Sequence, residues 1–418
     1  MKTRAKPTLE GIPTELRILV LKYLPDTHTL HNIVRASPAC HQAYVVARQE
    51  ILHNLVSQSF GDVDIGEAVC AVRSEGLFAS EKTNRERIIA LLDVRRRPQE
   101  IRKIAGKRSR ADPDGVDEYI KILHLDRKLN FILQDYSLNA PCPAWMDTDK
   151  WKLPLDLSRA EKARIIRAFY RMQTYSNIFG DRERTPPMSR SEGSRRWAGK
   201  SLKLEEVWML FFATMPPWEV EEFGCVWAYV RSRYATFFLE IAPYVDELKR
   251  QHPQPPHPCL IVEEPGMRPF ETYHSNYLRA MISLGPSVFN KILRQQSNEK
   301  RRDLIFYLLL LCINFDWDWS DQIYVGTYQL VSPADRLERG DFIDWLLSLP
   351  ALEQPNEGWF WFWPPGTLES ALNEDMFLEF GNFKGRAWGY ALWDEDRLEE
   401  WGADDELEGE RHFRIWSF

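Results

Sequence analysis

Apolar residues recur with the period of an α-helix in residues 12–25, and few polar side chains interrupt them. At about 100° per residue, one helix face collects a continuous apolar stripe. The residues on that face are Leu16, Leu19, Val20, Tyr23 and Leu24. Ile18 and Leu21 point in other directions, so the predicted helix is apolar nearly all round. We expect such a helix to be covered on more than one side, by its own domain and by a second protein.

Two more short helices are predicted directly after the first. A break at residues 25–27 ends the first helix, with Asp26 or Thr27 as the N-cap of the second. Ser37 followed by Pro38 marks the start of the third, because proline is favoured in the first helical turn. Three helices in about 45 residues bury too little surface to be stable alone. The unit must therefore dock on the rest of the chain, on a partner, or on both.

The remainder of the chain also has mostly helical periodicity, and the predicted fold class is mainly α. Ser158 with Glu161 has the pattern of a capping box, which begins a helix. We expect one long helix to break near Pro243 and another to break at Gly285. Alternation typical of a strand is sparse and is strongest at residues 323–331. The predicted helical segments are residues 88–94, 116–136, 158–170, 202–215, 218–248, 273–293 and 301–315.

Changes in composition divide the chain into five segments. A polar, arginine-rich stretch separates two parts of a helical body, and the second part includes a Trp-rich, partly irregular segment. Residues 394–410 hold ten acidic residues and one arginine, so we expect a tail that is solvated or that folds back on the basic residues 95–110. The predicted segments are a three-helix unit (1–48), the first part of the body (49–180), a mobile polar loop (181–201), the second part of the body (202–393) and the acidic tail (394–418).

The composition favours a protein of the cytoplasm or the nucleus. A formal net charge of −7 disfavours general binding to nucleic acid. The six cysteines have no pairing pattern, which is typical of a reducing compartment. The first residues are basic but lack the apolar run of a secretory signal, and the longest apolar run, residues 304–313, has about half the length of a membrane-spanning helix. We therefore expect no association with a membrane.

No motif predicts an active site, a metal or a cofactor. Residues 195–201 end like a phosphate-binding loop, but Ser194 stands where that motif needs glycine. Residues 316–321 begin like a calcium loop without its required glycine. The histidines and the cysteine of residues 252–259 lack a fourth zinc ligand. We expect a protein that is not an enzyme and that has no catalytic residues, no metal and no cofactor.

Two other patterns have both a structural and a functional interpretation. The basic residues 95–110 fit a solvated helix end, a nuclear localisation signal, or a dock for an acidic or phosphorylated client. The aromatic residues between 359 and 401 are typical of a hydrophobic core, and aromatic side chains are also enriched in binding surfaces. The sequence leaves these alternatives open.

The N-terminal pattern resembles the F-box. The resemblance lies in a Pro-x-Glu start, an apolar helix that ends in Leu-Pro, a break, a second short helix and a restart that contains serine. The form with Ser37, Pro38, His41 and Tyr44 is similar to the F-box-like segments of filamentous fungi, although the tryptophan usual after the second helix is absent. The resemblance implies three short helices that bind a Skp-type adaptor. The residues that it places at that interface are Ile12, Pro13, Glu15, Leu16, Val20, Leu21, Leu24, Pro25, Leu30 and Ile33.

The function that this resemblance implies is that of a substrate adaptor in a cullin-based (SCF-type) ubiquitin ligase. The N-terminal helices would recruit the Skp-type adaptor, and through it a cullin, while the body presents an unknown protein client. An alternative is a ligase-independent scaffold whose F-box-like helices only cap the core. A small-molecule enzyme is a third class, for which the sequence offers no motif. On the first interpretation, Leu16→Asp or Leu24→Asp abolishes adaptor binding, unless the change unfolds the unit.

Overall fold

The computed structural model of the chain is mainly helical, which confirms the predicted fold class. No strand occurs among the residues that the structure describes, and the strand-like residues 323–331 lie outside them. The polar segment 181–200 and most of the proline-rich segment after residue 251 lie outside them as well. The described residues are 9–60, 64–92, 113–149, 151–180, 202, 206–207, 210–251, 278, 281–311, 346, 348–362 and 384–407.

The chain divides into two compact units. Unit 1 contains residues 1–72 and 110–127, and unit 2 contains residues 73–109 and 128–418. The predicted domain boundary at residue 48 falls within one helix, Pro38–Phe60, and unit 1 continues beyond it.

Unit 1 begins with the three predicted helices. Asp26 is the N-cap of the second, where its Oδ1 accepts a hydrogen bond from the backbone N–H of Thr29 at 2.8 Å. This hydrogen bond lowers the pKa of the Asp26 carboxyl, because it favours the ionised form. The Oγ of Ser37 accepts from the backbone N–H of Cys40 at 3.3 Å, as expected for a cap of the third helix. The helices are α1 (Thr14–Lys22), α2 (Thr27–Ala36), α3 (Pro38–Phe60), α4 (Gly66–Arg73), which ends at the unit boundary, and α5 (Val116–Asn139), within which the other boundary falls.

Helices α1 and α3 pack against each other and run in the same direction. Just before α1 begins, Ser37 Oγ donates to Glu10 Oε1 at 2.8 Å. At the end of α1, the carbonyl of Lys22 accepts from Asn54 Nδ2 at 2.6 Å, and the Lys22 ammonium pairs with Glu50. Side chains of α3 therefore bind a carbonyl at the C-terminus of α1, where the last carbonyls of a helix lack partners within the helix.

Unit 2 contains the remaining helices. The predicted capping box is confirmed, because Ser158 Oγ accepts from the Glu161 N–H at 3.1 Å and Glu161 Oε2 accepts from the Ser158 N–H at 2.9 Å. The break at Gly285, which has a φ of 84°, is also confirmed. The predicted break near Pro243 is wrong, because the helix that contains it continues to Gln251. The helices are α6 (Arg159–Phe179), α7 (Pro217–Gln251), α8 (Pro286–Leu293), α9 (Asn298–Leu311), α10 (Glu357–Phe362), α11 (Gly385–Trp388) and α12 (Glu395–Glu400).

Aromatic side chains fill much of the interior of unit 2. The ring of Tyr175 on α6 lies 5.9 Å from the rings of Phe223 and Trp227 on α7. Trp218 and Trp359 meet at 5.7 Å, and both are buried. The core interpretation of the C-terminal aromatic residues is therefore confirmed for Trp359, as it is for the buried Trp388 and Trp393.

The prediction of a solvated acidic tail is wrong for residues 394–407. That segment contains α12, and Leu398, Ala403 and Leu407 are buried. Most of its acidic side chains are exposed, so the segment has one apolar side within unit 2 and one charged side. Residues 408–418 and the basic residues 95–110, on which the tail was expected to fold back, lie outside the described part of the chain.

Gly224 on α7 gives the first testable prediction. A Cβ atom at this position would lie 2.8 Å from Cδ and Nε of Arg386, a buried side chain that is bound to Glu221. Gly224→Ala should therefore lower the free energy of unfolding by about 1–3 kcal/mol, although alanine is the better helix former. Urea unfolding followed by tryptophan fluorescence measures this change.

The matched control for that variant is Gly66→Ala in α4. The atoms nearest to its Cβ would belong to the side chain of Asp64, at 3.3 Å or more, so we expect a change within about 0.5 kcal/mol. Equal unfolding curves for wild type and Gly224→Ala would contradict the close packing of Arg386 against this glycine.

Candidate functional site

The face of α1 opposite Leu21 is apolar and exposed. The exposed fractions are 49% for Leu16, 47% for Leu19, 38% for Val20 and 73% for Tyr23. These four residues belong to the stripe that the helical period predicts, whereas Leu21 is fully buried. Single exposed apolar residues are common on proteins, but three on one face of a nine-residue helix, with Tyr23 at its C-cap, form a patch typical of an interaction surface.

The ten residues that the F-box resemblance names differ in their exposure. The exposed members are Pro13, Glu15, Leu16, Val20 and Pro25, the half-buried members are Ile12 and Ile33, and the buried members are Leu21, Leu24 and Leu30. The buried members help to hold α1 and α2 in the fold and are not accessible to a partner in this structure, and their contact with an adaptor stays a prediction. Contact of the exposed members with an adaptor also stays a prediction.

Five further large apolar residues that are exposed in the described part of unit 1 are not named by the resemblance, and one of them is Leu9, which precedes α1 and is 40% exposed. Leu19 and Tyr23 lie on the exposed face of α1, and their helical spacing is the signal that identifies them. Val45 and Val46 lie on α3 and are 59% and 76% exposed. They directly precede Ala47, whose φ of −115° and ψ of 23° interrupt the helical backbone. We find no signal in the sequence that marks this kink.

A second feature, in unit 2, is a set of buried ion pairs between α6 and α7. Arg167 Nε donates to Glu222 Oε2 at 3.0 Å, and its guanidinium lies 3.7 Å from Glu219. Arg171 pairs with Glu219 at 2.6 Å. Burial alone would lower the pKa of Arg167, but the attraction of Glu222 and Glu219 outweighs it and raises that pKa. The arginine therefore stays charged in the interior.

The C-terminal segment of unit 2 is joined to the same two helices by three more ion pairs. Arg386 donates to Glu221 of α7 at 2.7 Å. Arg164 of α6 pairs with Asp394 at 2.7 Å, and Arg397 pairs with Glu161 at 2.6 Å. The Cζ of Arg397 also lies 5.6 Å from the ring centroid of Trp401. These contacts hold residues 386–401 against α6 and α7. The pairs between the two helices and the C-terminal segment are Arg164–Asp394, Arg386–Glu221 and Arg397–Glu161.

The sequence alone did not identify these ion pairs. The available signal is a charge stripe at helical spacing, with Arg164, Arg167 and Arg171 on α6 and glutamates 219 and 222 on α7. Such stripes usually lie on solvated faces, so pattern alone gives the wrong expectation of exposure. Each carboxylate in this set pairs with an arginine. The set therefore links the helices, and its acids and bases are paired with one another.

Two searches of the described residues found no match. These residues contain no group of His, Cys, Asp and Glu side chains arranged to hold a metal ion. No helix among them is long and apolar enough to cross a membrane. No family model matches the chain, and comparisons with curated proteins and with solved structures found no match.

Proposed function

We propose that the protein is a substrate-recognition adaptor of a cullin-based ubiquitin ligase, and that it binds a Skp-type adaptor through the exposed face of α1. The N-terminal helices would recruit the ligase, and the helical body would hold a protein client. In this role the protein carries out no covalent step itself. Its contribution is to bring the client close to the ubiquitin carrier, which raises the effective concentration of the reacting groups.

The observation that carries the proposal is the exposure of Leu16 and Val20. Both belong to the segment that resembles the F-box, and both lie on the side of α1 that its own fold leaves open. A groove on a partner that received these side chains with Leu19 and Tyr23 would bury a continuous apolar stripe. Helix-in-groove binding uses such residues at i, i+3, i+4 and i+7.

The alternative of a ligase-independent scaffold predicts a different exposure of the apolar stripe of α1. If α1 only capped the core, its apolar stripe would be covered by the chain itself. Leu21 and Leu24 fit that expectation because they are buried, but the four residues of the exposed face do not. The exposed stripe therefore favours the adaptor function over the capping function.

The test is binding of a purified Skp-type adaptor to the full chain and to the double variant Leu16→Asp/Val20→Asp. Fully burying one such side chain contributes about 1.5–3 kcal/mol, so the double variant should bind at least about a hundredfold more weakly. Isothermal titration calorimetry measures the affinity. Circular dichroism should show an unchanged fold, because both side chains are already exposed.

The matched control is Leu138→Asp/Leu239→Asp, which places two aspartates at exposed leucines of α5 and α7. It carries the same change in charge and should bind the adaptor like the wild type. Absence of binding by the folded wild-type chain would overturn the proposal, and so would equal affinities of the wild type and the α1 double variant.

A further inference from the structure

Three half-buried tryptophans form an aromatic surface in unit 2. Trp145 and Trp151 come from the segment between α5 and α6, and Trp401 follows α12. The rings of Trp151 and Trp401 lie 4.8 Å apart, and Trp145 Nε1 donates to the Trp401 carbonyl at 3.0 Å. The buried Trp388 supports this surface, since its ring meets that of Trp145 edge-on at 4.9 Å. We call Trp145, Trp151 and Trp401 the tryptophan surface.

The side chains beside the tryptophan surface are strongly acidic. Residues 394–407 contain eight carboxylates and a single arginine, Arg397, which is already paired with Glu161. Glu400 precedes Trp401 directly, and Asp404 and Asp405 follow it within one helical turn, all three being exposed. On the other segment, Asp147, Asp149 and Lys150 lie between the two tryptophans in the sequence and Lys152 follows them, so this segment is neutral and the negative charge comes from residues 394–407. The balance around the rings is negative.

The negative charge of this segment also acts on a carboxylate outside it. Burial raises the pKa of Glu357 at the start of α10, and the carboxylate of Glu395 on α12 raises it further. Like charges repel, and the repulsion between these two carboxylates is the second cause of the raised pKa.

The protein already contains one guanidinium bound in this chemical setting. Arg397 donates from Nε and Nη2 to the carboxylate of Glu161, at 2.6 and 2.9 Å. Its Cζ lies 5.6 Å from the ring of Trp401 and 5.7 Å from the ring of Trp393. An arginine here combines a charge-assisted hydrogen bond with contact to aromatic rings, an arrangement that suits the planar guanidinium better than a lysine ammonium.

We propose that the tryptophan surface and the exposed carboxylates beside it bind an arginine-rich segment of a client protein. This inference rests on the proposed function in that it names the chemical class of the client. The aromatic rings supply apolar and cation–π contact, and the carboxylates of residues 400–405 supply charge complementarity to a polycation. The occupant is a partner rather than a second copy, because a second copy would present the same negative surface and be repelled.

The test uses a fluorescein-labelled peptide made of four Arg-Gly-Ser repeats, with the full-length protein at low salt. The comparison peptide carries citrulline at each arginine, which keeps the shape and removes the charge. We expect the arginine peptide to bind at least about tenfold more tightly than the citrulline peptide, and to lose affinity as salt rises. Fluorescence anisotropy gives both affinities.

Two variants locate the binding surface. Trp151→Leu should weaken binding of the arginine peptide about tenfold, because it removes one ring of the tryptophan surface. Asp404→Asn/Asp405→Asn should weaken it about threefold or more, and it changes only exposed side chains. The matched controls are Tyr307→Leu, an exposed aromatic residue of α9, and Glu86→Gln/Glu299→Gln, two exposed acids of unit 2. Both controls should bind like the wild type.

The outcomes separate the inference from its alternatives. Equal binding of the two peptides, or full binding by the aspartate double variant, overturns it even if Trp151→Leu fails to fold. Sedimentation could also show that the protein self-associates and that Asp404→Asn/Asp405→Asn changes this self-association. That result would overturn the inference, because the occupant would then be a second copy. The α1 double variant should bind the peptide normally, so a failure of peptide binding and a failure of adaptor binding are distinguishable.

Discussion

Arg167→Met should lower the free energy of unfolding of the protein by about 3–5 kcal/mol, the range measured when one partner of a buried ion pair is removed. The side chain of Glu222 is only 1% exposed, and Arg167 is the partner that its carboxylate contacts from α6. Glu219, which also faces Arg167, keeps Arg171. The variant therefore leaves a buried carboxylate without its cation, and the cost comes mainly from this loss. Urea unfolding followed by circular dichroism measures the change.

The chain offers a matched control for this prediction in Arg250→Met. Arg250 pairs with Glu247 on the same helix, but both side chains are largely exposed. Exposed ion pairs contribute about 0–1 kcal/mol, so the control should unfold close to the wild type. The double variant Arg167→Met/Glu222→Gln should recover part of the loss, because no unpaired buried charge remains at residue 222. A loss below 1 kcal/mol in Arg167→Met would contradict the burial of this pair.

Leu24→Asp should unfold or severely loosen the first three helices, whereas Leu16→Asp should leave them folded. Leu24 is 8% exposed and Leu16 is 49% exposed, although both lie on the stripe that the sequence predicts. An aspartate at residue 24 loses the burial of a leucine and places a charge in an apolar surrounding, which together cost at least about 3 kcal/mol. At residue 16 the charge stays in water, and the expected change is within about 1 kcal/mol.

Amide hydrogen exchange of residues 14–60 distinguishes these two variants. Leu24→Asp should lose protection throughout α1, α2 and α3, and Leu16→Asp should keep it. Both variants should lose adaptor binding. Only the loss in Leu16→Asp would test the interface, because Leu24→Asp also disrupts the three helices. If Leu24→Asp kept its protection from exchange, the side chain of Leu24 would be less buried than it is in the structure.

The sequence predicted local structure well where adjacent residues determine it. The capping box of Ser158 and Glu161, the serine–proline start of α3 and the break at Gly285 depend on side-chain and backbone contacts a few residues apart. Such contacts form in the same way wherever the segment lies. Pro243 is the exception, because α7 continues through a residue that usually ends or kinks a helix.

The candidate surfaces could be predicted only in part. The helical period of residues 12–25 identified an apolar stripe, but a helix that is apolar nearly all round does not itself say which side faces inward. Packing of α1 on α3 buried Leu21 and Leu24 and left Leu16 and Val20 exposed. The resemblance to the F-box named residues on both sides without separating them.

What the sequence determined by itself is therefore the helical character of the chain, the caps of several helices and the apolar stripe near the N-terminus, since these follow from residues one or two turns apart. Tertiary structure alone decided that the arginines of α6 are buried, that residues 394–407 are folded, and that Trp145, Trp151 and Trp401 meet. The partners in these contacts lie far apart along the chain, as Arg167 and Glu222 are separated by 55 residues and Trp145 and Trp401 by 256. The sequence around a charged or aromatic residue does not indicate so distant a partner. Burial of that residue is favourable only once the fold has brought the partner into contact.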